Sequence, residues 1–320
     1  MLIEFSVGNF RSFRERQVLS LIASNRDKDL PNNLLDLEAP GLANTRLVKS
    51  VAVYGANASG KSNLFKAAEF MQDFVGNSAT KLKPGEETGV MPFRLDPSSE
   101  RSPTEFEVVF IYEGIRYQYG FILDNKKVHE EWLVAYPFGQ PQRWFTRTFN
   151  PDTDEYDWKF SAKHLKGDKE SLKGKTRDNT LFLSVGAQFN HEQLTEVYEW
   201  FQDSFRFIDF SSAPFPSSVT ATLMGREKAV QEPIRSLIKQ ADLGITEVDI
   251  MPMNLAHVSF PDDLPDDVKE KYVQRIKDGE ILEAGFRHRC RDAEQDIVFD
   301  EDLESAGTRK YFSLLGPWML

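Results

Sequence analysis

The sequence predicts an α/β fold, and three observations carry that expectation. A β-branched apolar run, "SVAVY" (50–54), leads into "GANASGKS" (55–62) and then into "NLFKAAEFMQDF" (63–74), whose apolar residues recur at helical spacing. Residues 104–136 hold three alternating apolar runs separated by turn-forming residues. From residue 178 onward, apolar residues return at intervals of three and four.

Taken in order, "LIEFSVGNFRSFRERQVLSLIA" (2–23) predicts two strands around a turn, and 24–45 a polar connection containing proline and asparagine. A strand, a glycine loop and a helix follow over 50–74. Within 104–136, Glu113-Gly114 and Asp124-Asn125 are the turns between three strands. "RWFTRTFN" and "EYDWKFS" extend this antiparallel region. Segments 191–204, 226–240 and 264–278 predict helices, and Gly244 closes a helix before a strand in "ITEVDIMPM". "EAGFRHRC" and "QDIVFDED" predict two short strands, and a last helix starts at "ESAGT" (304–308). The expected division is a lobe over 1–190 with an antiparallel β insertion, a helical insertion over 191–280, and return strands plus a helix over 281–320.

Bulk composition narrows the function classes. With 320 residues a large core is possible, and 40% hydrophobic with 28% charged residues fits a globular protein. No run approaches the roughly 18 apolar residues of a membrane span, and the N-terminus lacks the basic start of a signal peptide. One cysteine, Cys290, excludes an intrachain disulfide, suits a reducing cytoplasm, and with scattered histidines leaves no zinc spacing. A net charge of −11 argues against general nucleic-acid affinity. The lysine-rich stretch 163–177 fits either a solvated loop or a local contact surface.

"GANASGKS" fits the pattern G-x-x-x-x-G-K-[ST], with Gly55, Gly60, Lys61 and Ser62 at the fixed positions. Glycines let backbone N–H groups curl around phosphates, and the following helix adds partial positive charge at its start. Lys61 supplies a point charge and Ser62 a hydroxyl for Mg²⁺. A nucleotide site is the expectation. Far downstream, "ESAGT" carries Ser305 and Gly307 at a helix start, where a simple helix cap also explains the serine.

The paired motifs resemble SMC/RecF-like ABC ATPases of the bacterial phage-defence and abortive-infection type, often grouped with AAA-family proteins. The OLD nucleases, RloA and PARIS-type systems contain similar ATPase parts. "NFRSF" (9–13) is similar to the family's N-terminal strand motif, "YGANASGKSN" (54–63) to its phosphate loop, and "ESAGTRKYFSLLGP" to its signature helix. The resemblance implies a P-loop ABC-type ATPase head with an antiparallel β lobe and an inserted helical lobe, working with ATP and Mg²⁺.

It also implies roles. Gly55, Asn57, Gly60, Lys61, Ser62 and Asn63 would hold phosphates and Mg²⁺. Arg11 and Ser12 would lie near the nucleotide, unless they are ordinary turn residues. Gln188 stands where a second Mg²⁺ contact is expected, although an ordinary helix residue fits the same position. Ser305 and Gly307 would reach the γ-phosphate held by a second copy, making a homodimer or larger homo-oligomer. Partners would include an effector nuclease or toxin subunit and a phage trigger protein or DNA, with no membrane.

The hydrolytic half, an apolar strand ending in Asp-Glu, is expected downstream of the signature helix. That places it beyond residue 320, in a longer protein; a natural stop there would leave a scaffold that binds ATP without hydrolysis. "IVFDE" (297–301) precedes the signature and is expected to be a plain strand with a polar end. His288 is expected to pack or meet solvent, and Cys290 to be a structural thiol. An SMC-type DNA-repair head is the alternative, but it calls for heptad arms, and the central region has aromatic-rich strands instead.

Overall fold

The computed structural model describes residues 1–24, 30–37, 39–42, 45–56, 59–207, 216–241, 243–255, 258, 260, 264–289 and 296–319. They fall into two compact units, residues 1–207 and 208–320.

The first unit is built on a seven-stranded antiparallel sheet. Its strands are β1 (Leu2–Gly8), β2 (Gln17–Ser20), β5 (Thr104–Tyr112), β6 (Ile115–Leu123), β7 (Val128–Tyr136), β8 (Gln142–Asn150) and β9 (Glu155–Phe160), in the order β2-β1-β5-β6-β7-β8-β9. A separate two-stranded pair joins β3 (Leu34–Asp36), inside the stretch 24–45 expected to be a polar connection, to β4 (Arg46–Val48), just after it. The β5–β6 hairpin turns at Glu113 and Gly114, whose φ values of 47° and 74° are the left-handed pair that a tight hairpin requires.

Helices α1 (Lys61–Asn77), α2 (Pro97–Glu100), α3 (Lys169–Lys175), α4 (Phe182–Gln188) and α5 (Glu192–Glu199), followed by a π-turn at Trp200–Ser204, complete this unit. Helix α1 buries Ala67, Ala68, Met71, Phe74 and Val75. Phe70 stacks on Phe106 of β5 at 5.2 Å, and Trp200 stacks on Phe110 at 3.8 Å. This aromatic layer is the larger core of the molecule.

A buried polar group crosses that core. Glu131 of β7 and Arg147 of β8 are both fully buried, with Nη1 and Oε2 3.9 Å apart. Glu131 accepts from the amides of Phe182 (2.7 Å) and Leu183 (3.0 Å) and from the Tyr119 hydroxyl (3.0 Å), so it caps the start of α4. Arg147 donates to the carbonyls of Thr180 and Arg177 at 2.7 and 3.0 Å, with Tyr156 stacked on its guanidinium. Burial pushes the Glu131 carboxyl above the usual carboxylate range, against the lowering pull of Arg147 and the amides.

The second unit holds α6 (Ser217–Arg226), α7 (Lys228–Gln240), β10 (Ile245–Pro252), α8 (Asp266–Lys277), β11 (Leu282–His288), β12 (Ile297–Asp300) and α9 (Ala306–Trp318). Its antiparallel sheet runs β10-β11-β12, and Met224, Ile234, Ile238, Phe286, Phe312 and Leu315 make its core.

Three expectations change. "SVAVY" forms no ladder among the described residues: Val51, Val53 and Tyr54 are 47%, 40% and 90% exposed. The hairpins β5–β9 pair with one another and β1 takes the free edge of β5, so no described strand lies beside 50–54. Helix α6 was absent from the expected helices, because its buried face consists of Ser218, Thr220, Ala221 and Met224, which show little apolar contrast. The segment expected as one helical insertion, 191–280, is split, since 191–207 packs with the first unit.

Replacing Glu131 by Gln is expected to lower folding stability by about 3–5 kcal/mol, because Arg147 would stay buried without its anion. Urea unfolding checks this, and a change under 1 kcal/mol would contradict the structural role of the pair.

Candidate functional site

The glycine-rich loop opens α1. Gly60 is the residue before the helix and adopts φ 93°, ψ 3°, a conformation that glycine reaches without strain. A Cβ on Gly55 would lie 2.5 Å from the Ser59 hydroxyl, which would have to turn away to admit it. Lys61 folds back, and its Nζ donates to the carbonyls of Gly55 and Ala56, 2.8 Å each. Ser62 is exposed at the helix start, and the Asn63 and Leu64 amides both donate to the Gly60 carbonyl, at 2.9 and 3.2 Å. The helix carries 17 residues, enough for a developed dipole with its positive end at the loop. Asn57 lies outside the described residues.

A second element meets this loop. Phe10 and Phe13 exchange backbone hydrogen bonds of 2.8 Å each, which closes a tight turn with Arg11 and Ser12 at its apex. Asn9 and Arg11 have φ of 52° and 48°. The Asn63 side-chain amide donates to the Ser12 hydroxyl at 2.8 Å. A Cβ on Gly60 would come within 2.7 Å of Ser12 Oγ and 3.1 Å of Phe13 Cε1. Thus Gly55, Gly60, Lys61, Ser62, Asn63 and Ser12 stand together at one helix N-terminus, while Arg11, next to Ser12 in the turn, donates its amide to the Met91 carbonyl and lays its guanidinium over the Phe10 ring.

Behind the turn, Asn9 uses both ends of its amide. Its Nδ2 donates to the carbonyls of Ser99 (2.8 Å), Ser102 (2.8 Å) and Pro103 (3.2 Å), and its Oδ1 accepts from the Phe93 amide (3.2 Å). Asp96 caps α2 beside it. Hydrogen bonds from the Ser98 and Ser99 hydroxyls, with the Ser99 amide and Arg14, push the Asp96 carboxyl down to about 2. Asn9 was no candidate from sequence, and only its place in "NFRSF" signalled it.

The remaining candidates are dispersed. Gln188 ends α4, exposed, and makes no hydrogen bond to the loop residues. Ser305 caps α9, accepting the Thr308 amide at 3.1 Å, and it shares a 2.9 Å contact with the Thr308 hydroxyl. Ser305, Ala306 and Gly307 are all exposed. Asp300 ends β12 and Glu301 begins a 3₁₀ turn where it accepts from Ser217, in line with a plain strand end. His288 pairs with Glu304 at 2.6 Å and leans on Phe299. Cys290 lies outside the described residues.

No cluster of three or more His, Cys, Asp or Glu side chains suited to a metal occurs among the described residues. The lysine-rich stretch is not a loop throughout. Asp168 caps α3 there, Arg177 donates to the Leu82 carbonyl at 2.8 Å, and Lys175 sits over the Phe189 ring at 4.2 Å.

The family described as "AAA domain, putative AbiEii toxin, Type IV TA system" matches residues 50–316. The chain belongs to this AAA-domain family. The match opens at the apolar run before the loop and ends on α9, so the β1–β2 turn lies outside it. No curated protein matches the sequence. No described helix is long and apolar enough to cross a membrane.

Two outcomes are expected of this arrangement. Gly60→Ala should cost roughly 1–3 kcal/mol of stability, from the left-handed backbone and the crowding by Ser12, as thermal or urea unfolding would show. The depressed Asp96 contributes stability that is present above its unfolded value of 3.8 and is lost as pH falls through about 2. Carboxyl NMR should place its midpoint near 2, and a midpoint near 3.8 would contradict the capping geometry.

Proposed function

We propose that the chain is a P-loop ATPase of ABC type that binds ATP with Mg²⁺ at the loop and turn around α1. The observation that carries this reading is the cradle itself. Gly60 is held left-handed against Ser12, Lys61 is stationed over the loop carbonyls, and the Ser62 hydroxyl is open at the helix start. Such a cradle fits a phosphate chain: glycine backbones approach it closely, and helix dipole and ammonium both favour the anion.

Each residue then has a task. The backbones of Gly55, Asn57 and Gly60 line the phosphates, and Asn63 supports them. Lys61 exchanges two carbonyl contacts for charge-assisted bonds to phosphate oxygens. Ser62 offers a ligand to Mg²⁺. Arg11 flanks the nucleotide, and Ser12 stands beside the loop that holds it. When bound, Mg²⁺ supplies charge neutralisation between the phosphates.

The exposed Ser305 and Gly307 suit the role that the resemblance gives them, contacting the γ-phosphate held by a second protomer. In this reading ATP drives association of two or more copies, and the assembly governs a nuclease or toxin effector in cytoplasmic anti-phage defence of the OLD, RloA or PARIS kind. The family's description, naming an abortive-infection toxin and a TA system, supports that direction. None of the residues assigned here polarises an attacking water, so binding and association are what they carry.

The test is ATP–Mg²⁺ titration of the protein with mass followed by light scattering. ATP should bind and raise the mass, and Lys61→Ala should weaken binding by roughly ten- to a hundredfold, the size of lost charged hydrogen bonds. Equal ATP affinity in Lys61→Ala would overturn the assignment.

A further inference from the structure

We infer that Ser12 and Asn9 are positioning residues of the phosphate loop, with Ser12 acting through Asn63 and Gly60 and not on the nucleotide. The inference rests on the nucleotide reading of the loop, but its geometry is independent of any ligand. Ser12 and Asn63 are 51 residues apart in sequence and joined by one 2.8 Å hydrogen bond. That bond fixes the side chain of the third residue of α1. The same hydroxyl roofs Gly60, at 2.7 Å from where a Cβ would stand, and Phe13 closes the other side. The left-handed residue that aims the helix start is therefore clamped by a turn outside the family-matched segment.

The turn can clamp because it is itself anchored. Asn9 tolerates its positive φ, as asparagine does more readily than most residues, and its two amide protons are shared among three carbonyls while its oxygen accepts one amide. Its backbone carbonyl also accepts the Thr104 hydroxyl at 2.7 Å, which ties the turn to the first residue of β5. Aspartate has the same shape but cannot donate, and its charge would face the three carbonyls. Force thus passes from the start of β5 through Asn9 and the Phe10–Phe13 turn to the loop. A loop held in its bound shape loses less conformational freedom when ligand arrives, which raises affinity without a new contact.

Two measurements on the full chain decide it. The first is hydrogen exchange of residues 59–63 without ligand, in wild type, Ser12→Ala, Asn63→Ala and the double variant, alongside thermal unfolding. Faster exchange confined to the loop, equal in the two single variants and no greater in the double, is expected, with the unfolding midpoint little changed. The second is ATP–Mg²⁺ affinity. Each single variant should lose about three- to tenfold, and the double variant no more than the worse single. Ser12→Thr, which keeps the hydroxyl, should restore both readouts.

Unchanged exchange in Ser12→Ala would overturn the inference. So would affinity losses that multiply in the double variant, because Ser12 would then act on the nucleotide directly. If wild type binds no ATP, the nucleotide reading falls while the exchange result still decides the clamp. Asn9→Asp, folded by the same unfolding measure, should quicken exchange in both the turn and the loop; quickening of the turn alone would remove Asn9 from the path.

Discussion

The buried Glu131–Arg147 pair is the constraint on which the first unit depends. Two charges in an aromatic core are costly to desolvate, so the pair persists only with its remaining hydrogen-bonding groups largely satisfied. Glu131 meets that demand by holding the first amides of α4, and Arg147 by holding the carbonyls of Arg177 and Thr180. The chain between β9 and α4 is therefore nailed to strands β7 and β8. From there Arg177 reaches the Ser78 and Leu82 carbonyls, and the Ser184 hydroxyl donates to the Val75 carbonyl, which ties down the far end of α1.

Helix α1 is thus fixed at both ends by unlike means. Its C-terminal end is held by buried hydrogen bonds that descend from the central ion pair. Its N-terminal end is held by a surface turn and one side-chain bond to Asn63. Between them, Phe70 and Phe74 stack into the sheet's aromatic layer. At the helix start, Lys61 Nζ occupies the Gly55 and Ala56 carbonyls.

Much of this was legible in the sequence wherever local rules suffice. Strict alternation and turn residues marked β5 to β9, because one face of an antiparallel sheet is buried and the other half-open. The glycines, Lys61 and Ser62 were legible because their chemistry is tied to fixed spacing. Apolar Val51 and Val53 promised a strand, but pairing needs a neighbour, and none is formed among the described residues. Helix α6 hid its buried face behind serine, threonine and alanine. Nor could any local pattern show Asn63 reaching Ser12, since that contact is made only when β1 and α1 are brought together by the sheet.

Ser305 illustrates how two readings of one residue can coexist. As the cap of α9 it accepts the Thr308 amide, using one lone pair of the hydroxyl oxygen. Its proton is not consumed by that bond. The contact with the Thr308 hydroxyl can run in either direction, so the proton is either engaged there or free to point outward. An anion at the exposed Ser305–Gly307 face would favour the second arrangement, with Thr308 donating to Ser305 and Ser305 donating onward. Capping then orients the hydroxyl for the ligand instead of competing with it. The cap observed at Ser305 and the phosphate contact proposed for it thus use different parts of one hydroxyl, the lone pair and the proton.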